Sequence, residues 1–206
     1  MGFIILALMK KVFPLLLILI PLNVFSQLNL HDWNNTFYNK YDASKFQKLE
    51  IVNQLIDPNN IDYELFNAAI FYCTNIQRVK HRKKPFIHSI ALEEAAQSHS
   101  KDMVTHSFYS HKSPVKGKRT MTDRLSFVGI NNGYSAENIF DNFEKNPTYW
   151  SLASKLVDGW MKSSGHRRNI LNEKYNYLGC GVYYYENLEW KDYFWVKATQ
   201  NFSSGG

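Results

Sequence analysis

Helical periodicity through the middle of the chain and β-type residues near its end predict an α+β domain in which helices cover a small sheet. Leu65, Ala69, Tyr72, Ile76 and Val79 recur at spacings of three and four, the stripe of an amphipathic helix. Residues 178–185 and 193–202 are instead rich in Val, Tyr, Phe and Trp and are separated by a polar stretch, so they read as an antiparallel hairpin.

The chain opens with apolar residues 2–9, the pair Lys10-Lys11 and a second apolar run over 12–25. A basic start, a Leu/Ile-rich centre and small-residue spacing at Val24 and Ser26 are the grammar of a secretory signal over residues 1–26, with Met9 as an alternative start. The competing reading is a membrane anchor, which needs about 20 apolar residues; here the lysine pair, Pro14 and Pro21 interrupt the run. No cysteine sits at the cut. The mature chain is therefore expected to be secreted, extracellular or periplasmic, without an integral anchor. About 180 residues remain, within the range of one domain, and a monomer is expected.

Residues 27–62 read as an N-terminal extension, polar, dotted with aromatics and broken by Asp57-Pro58-Asn59-Asn60. Phe46, Leu49, Val52 and Leu55 predict a short helix over 44–56 that packs on the main domain, 63–203. In that domain the first helix spans 63–82 and Pro85 ends it. Ser89 is the N-cap candidate of a second helix, which carries Leu92, Ala95, Ala96, His99 and Met103 on one side. On that face His99 is expected to bond backbone in the core rather than to hold a ligand. A short helix over 121–128 stops at Gly129, and residues 131–133 turn the chain ahead of Glu137. The last helix starts at an Asn146-Pro147 cap and runs to Ser163, with Gly165 closing it.

The formal charge of +6 includes Lys10 and Lys11, and the other cations are dispersed apart from His81-Arg82-Lys83-Lys84. That cluster suits a helix C-terminus better than a nucleic-acid patch, so no nucleic-acid partner is expected. Cys73 and Cys180 either form one bridge, which export permits, or lie apart as buried thiols. Neither has the C-x-x-C spacing of zinc or redox sites.

Three polar words carry the chemistry: His106-Ser-Phe-Tyr-Ser-His111, Ala136-Glu137-Asn138-Ile139 and Ser163-Ser164-Gly165-His166-Arg167-Arg168-Asn169-Ile170-Leu171. His111, Glu137 and His166 stand among apolar neighbours, a pattern that predicts one polar cleft. A carboxylate fixes which imidazole nitrogen carries the proton. The trio can coordinate a divalent cation, polarise a water or hydrogen-bond a polar ligand head. Two His with one carboxylate is a zinc ligand set that leaves a place for water, but the chain has no H-E-x-x-H word. The bland alternative makes Gly165 a helix cap, Arg167 and Arg168 solvent-facing, and Asn138 a loop brace.

In chain order, Asn75 with Arg78, Leu92-x-x-x-Ala96-x-x-His99, Phe108-Tyr-Ser-His111, Glu137-Asn138-Ile139, Trp160-Met-Lys-Ser-Ser-Gly-His166-Arg-Arg-Asn-Ile-Leu171 and Tyr177-Leu-Gly-Cys-Gly181 form one series. It resembles the CAP superfamily, the SCP domain shared by cysteine-rich secretory proteins, antigen 5 and plant pathogenesis-related proteins of group one. The resemblance covers residues 65–202 and implies a CAP-type α-β-α sandwich, three to four helices covering a small, mainly antiparallel sheet. It also implies a cleft lined by two His and two acidic residues. His111 and His166 match the histidines and Glu137 the first acid, whereas Ser163 stands where animal and plant members carry Glu. Bacterial-type secreted members are the most similar. A hydroxyl adds no negative charge, so zinc or magnesium at His111 and His166, with Glu137 nearby, becomes optional.

Three functions follow as expectations. The first is a secreted module that binds a small ligand, lipid, glycan or peptide segment through His111, Glu137, His166, Ser163 and Asn138. The second is a metal-assisted, peptidase-like hydrolase with Glu137 or a histidine as general base; no G-x-S-x-G nucleophile elbow is present. The third is an envelope protein with a non-catalytic cleft.

Overall fold

A computed structural model describes residues 28–205. The expected leader, residues 1–26, lies outside them. Four strands, β1 (Ile87–His88), β2 (Ser135–Glu144), β3 (Tyr177–Tyr185) and β4 (Phe194–Ser203), form one sheet in the order β1-β3-β4-β2. β1 runs parallel to β3, and the other neighbours are antiparallel. Six α-helices occur among the described residues, more than the three to four expected: α1 (Ala43–Phe46), α2 (Tyr63–Lys80), α3 (Ile90–Thr105), α4 (Met121–Phe127), α5 (Tyr149–Lys162) and α6 (Ser164–Leu171).

Strand alternation sorts the sheet into two faces. Leu178, Cys180, Val182, Val196, Ala198 and Phe202 enter the main core with Leu65 and Ile70 of α2 and Leu152, Leu156 and Trp160 of α5. Gly179 and Gly181 turn the other way, where a Cβ would stand 2.0 Å from Glu93 N and 2.1 Å from Gln97 N. Glycine at these two positions lets α3 lie directly on β3, and Ser100 Oγ donates to Gly181 O (3.0 Å) across the contact. Helices on both faces give the α-β-α sandwich.

Local chemistry sets the boundaries. Asp62 caps α2, its carboxylate accepting from Leu65 N (2.9 Å), and Ser89 caps α3 from Leu92 N (3.4 Å). The expected Asn146-Pro147 cap is corrected to Thr148, whose hydroxyl and Ser151 form a reciprocal capping box (3.0 Å each way) while Asn146 takes a left-handed φ of 48°. Gly165 does not close that helix. Ser163 breaks it by adopting an extended backbone, and Gly165 lies within α6.

The expected helix over 44–56 is also corrected, to α1 and a 3₁₀ turn, Ile51–Asn53. Asn53 Nδ2 donates to Gln47 O (3.0 Å) and Leu49 O (2.9 Å), satisfying carbonyls that a longer helix would have paired. Residues of the extension pack on the helices and strands that follow: Phe46 stacks on Tyr72 (4.3 Å), and Tyr38 stacks on His88 (3.6 Å). Cys73 and Cys180 are buried and free, so the bridge alternative is corrected. Burial pushes both thiols up, Cys73 to about 12.

Candidate functional site

Glu137 lies near the start of the edge strand β2. Alternation sends its side chain toward α3 and α4 while Asn138 faces α6. Its carboxylate is 2% exposed, a burial that costs several kcal/mol unless partners compensate. Arg124 Nη2 donates to Oε2 (2.6 Å), His111 Nδ1 meets Oε1 (2.9 Å), and His99 Nε2 stands 3.8 Å from Oε1. The Asn201 amide is fully satisfied when its nitrogen faces Oε2 (3.3 Å) and its oxygen accepts from Ala96 N (3.1 Å). Burial by itself would raise the Glu137 carboxyl; His111, His99 and Arg124 outweigh it and hold it below the ordinary carboxylate range.

Arg124 is positioned by the start of α4. Thr120 and Asp123 form a capping box (3.1 and 2.8 Å), and the next residue turns inward, its side chain 1% exposed. The guanidinium also donates to Lys118 O (3.0 Å) and His111 O (3.2 Å). Arg124 therefore holds the loop that carries His111 and the carboxylate that orients it.

His99 meets the expectation of a core histidine, with Nε2 on Ser110 O (3.1 Å). That contact makes Nε2 the donor, and burial, opposed by Glu137, pushes the ring down to about 4, so it is neutral near pH 7. His111 is different, with its side chain 55% exposed. Once Nδ1–H is given to Glu137, Nε2 of the neutral ring is left as a surface acceptor. His166, half-buried on α6, has no ring hydrogen bond among the described residues; burial first and the nearby His111 second hold it below the usual histidine value.

The remaining two expected site residues behave otherwise. Asn138 Nδ2 donates to His166 O (3.2 Å) and Gln200 Oε1 (3.0 Å), and its Oδ1 accepts from Asn169 (2.9 Å). It is a brace that places His166, as the bland alternative anticipated. Ser163 joins α5 to α6 and makes no side-chain cap bond.

The donor set falls short of a closed metal site. Among the described residues no three His, Cys, Asp or Glu side chains converge as a cation site. Arg124 and His111 engage Glu137, which leaves a zinc ion two imidazoles instead of about three protein ligands. Magnesium prefers oxygen donors.

Arg124 is the member that sequence reasoning missed. Its signal was the spacing Met121, Arg124, Leu125, Val128, which places a cation on the buried stripe of a short helix.

The family model of the cysteine-rich secretory protein family, CAP, matches residues 71–198, a span that contains every residue of this cluster except Gln200 and Asn201. Two Bacillus subtilis proteins are each 32% identical: the uncharacterized membrane protein YlbC over 163 residues (72% of this chain, 44% of that protein) and the uncharacterized protein YkwD over 116 residues (56% and 42%). The chain thus spans less than half the length of these relatives. An extracellular SCP-domain protein from Bacillus anthracis is 31% identical with a TM-score of 0.56, covering 72% of this chain and 44% of that one. An outer surface protein from Borrelia burgdorferi shares the fold at 14% identity, with a TM-score of 0.54 over 69% of this chain and 95% of that one. The chain belongs to the CAP, or cysteine-rich secretory protein, family, and its bacterial relatives make it a bacterial-type member.

Proposed function

We propose that the protein is an exported CAP-domain binding module whose cleft, floored by His111, Glu137 and His166, receives a small ligand or the polar part of a lipid, glycan or peptide segment. One observation carries this reading: buried Glu137, fixed from below by Arg124, holds exposed His111 by Nδ1 and leaves Nε2 open beside unpartnered His166. Two acceptor-capable imidazoles, one of them oriented by Glu137, suit recognition of hydroxyl or amide hydrogens. Glu137 is poorly suited to general-base work, because an efficient base has a pKa near the working pH and this carboxyl is held low. The signal-like leader and the extracellular relative support the exported address. Among the described residues no helix is long and apolar enough to cross a membrane.

The test compares what co-purifies with the exported wild-type protein and with its His111→Ala/His166→Ala variant, by mass spectrometry of organic extracts. The expected result is a small molecule retained by the wild type and lost from a variant with an unchanged melting temperature. Equal content in both removes the cleft reading. A metal-assisted hydrolase is the second reading, favoured by Glu137 standing behind His111 as carboxylates do behind metal-bound histidines. Stoichiometric zinc uptake in calorimetry, abolished by the same variant, would favour it.

A further inference from the structure

We propose that a basic trough on the outer side of α6 docks an anionic polysaccharide, one that carries phosphate groups along its chain. Two charged words, His81-Arg82-Lys83-Lys84 and Arg167-Arg168, lie far apart in the sequence, and the fold brings them together. Arg78, buried near the end of α2, is the clamp. Its Nε donates to Lys84 O (2.6 Å) and its Nη1 to Ile170 O (2.7 Å) and Asn172 O (3.0 Å), which ties the 81–84 turn to the C-terminal end of α6. Lys83 completes the join by pairing with Glu173. The trough between them encloses about 690 Å³, and Lys83, Arg167 and Arg168 line it against a single carboxylate, Glu173. Arg82 and Lys84, both exposed, add charge from the same turn.

Three observations select the occupant. First, the charge is unanswered. Glu173 is taken by Lys83, while Arg167 and Arg168 are exposed and make no side-chain hydrogen bond or ion pair among the described residues. Guanidinium groups left free in this way suit phosphate, whose oxygens accept their paired N–H donors. Second, the two arginines diverge. Successive helical residues point about 100° apart, so Arg167 and Arg168 reach out on either side of the line from Ser164 to Leu171, which matches charges spaced along a chain better than one small anion. Third, the cations line a concavity. A single polymer strand can enter it, whereas a flat bilayer meets only the rim, and no aromatic ring lines it to stack a nucleobase. Asn169 and Ile170 turn to the opposite side of α6, toward Asn138 and the core, and His166 shares that side by helical spacing, so trough and cleft are separate.

Binding of the exported protein to immobilised phosphomannan, a phosphate-bearing mannan, with the same mannan stripped of phosphate as control, tests the assignment. The expectation is saturable binding to the phosphorylated form alone, weakening as salt is raised. Arg167→Ala/Arg168→Ala should weaken it at least about tenfold at an unchanged melting temperature, since both side chains are exposed. Arg167→Lys/Arg168→Lys, which keeps the charge, should lose less. Lys116→Ala/Lys145→Ala removes the same charge from exposed positions outside the trough and should leave binding unchanged, as should His111→Ala. Absence of saturable binding, equal binding to the stripped mannan, an equal loss in Lys116→Ala/Lys145→Ala, or tighter binding to phosphatidylglycerol vesicles or single-stranded DNA would each overturn the proposal. The cleft reading stands independently of that outcome.

Discussion

The two faces of the sheet use different physics. On the α2/α5 side, large apolar residues such as Trp160, Leu152, Leu156 and Phe202 are fully buried in one continuous core. On the α3/α4 side the apolar cluster is small, built on Leu92, Ala95 and Leu125, and beside it lie buried Arg124, Glu137, His99 and Ser100. Apolar burial is insensitive to pH and forgiving in direction. Buried charge is neither, because it survives only while every partner is in place. Stability is concentrated on one face, which lets the other hold a carboxylate in a fixed posture at the cleft.

That contrast can be broken most severely at Arg124. Arg124→Leu leaves Glu137 buried without its guanidinium and should cost about 3–5 kcal/mol in urea unfolding at pH 7. The deficit should shrink at lower pH, since an unpaired buried carboxyl takes up a proton. Leu156→Ala opens a cavity on the opposite face and should cost about 2–5 kcal/mol, with a deficit that does not change with pH. A pH-independent Arg124→Leu deficit would remove the distinction between the faces.

The wild type should lose stability in acid. Glu137 has a lowered folded pKa, so its contribution is present above its unfolded value and lost as pH falls through the folded one. His99 is pushed from 6.5 to about 4, so between these values the unfolded chain binds more protons and stability drops as pH is lowered. Replacing His99 by Gln should flatten that part of the profile by up to about 3 kcal/mol, measured by chemical unfolding from pH 4 to 7. Gly181→Ala, which drives a methyl into the α3 backbone, should cost about 1–3 kcal/mol or more without altering the acid slope. The smallest effect belongs to His111→Ala, within about 1 kcal/mol for an exposed partner; a larger loss would mean that the ring is structural.

Periodicity made the long elements legible. The stripe from Leu65 to Val79 predicted α2, although that helix is buried on every side from Leu65 to Asn75 while Val79 stands 59% exposed, and the aromatic runs predicted the β3–β4 hairpin. β2 was missed because its core-facing side carries Asn138 and its cleft-facing side Glu137, so the strand has no clean alternation of apolar residues. β1, two residues long, gives no pattern at all. Within the site, motif order located His111, Glu137 and His166. Charge pairing was invisible because Arg124 and Glu137 meet across thirteen residues and two elements, a distance that spacing rules do not span. Asn138 was legible as a candidate brace but its partners were not, since Gln200 and Asn169 come from β4 and α6.

The most direct test of the central claim is the tautomer of His111, read from long-range ¹H–¹⁵N correlations of the imidazole rings. The account predicts that the neutral ring carries its proton on Nδ1, bonded to Glu137, with Nε2 bare and facing the cleft. A neutral ring protonated at Nε2, or one averaging freely between both forms, would contradict it.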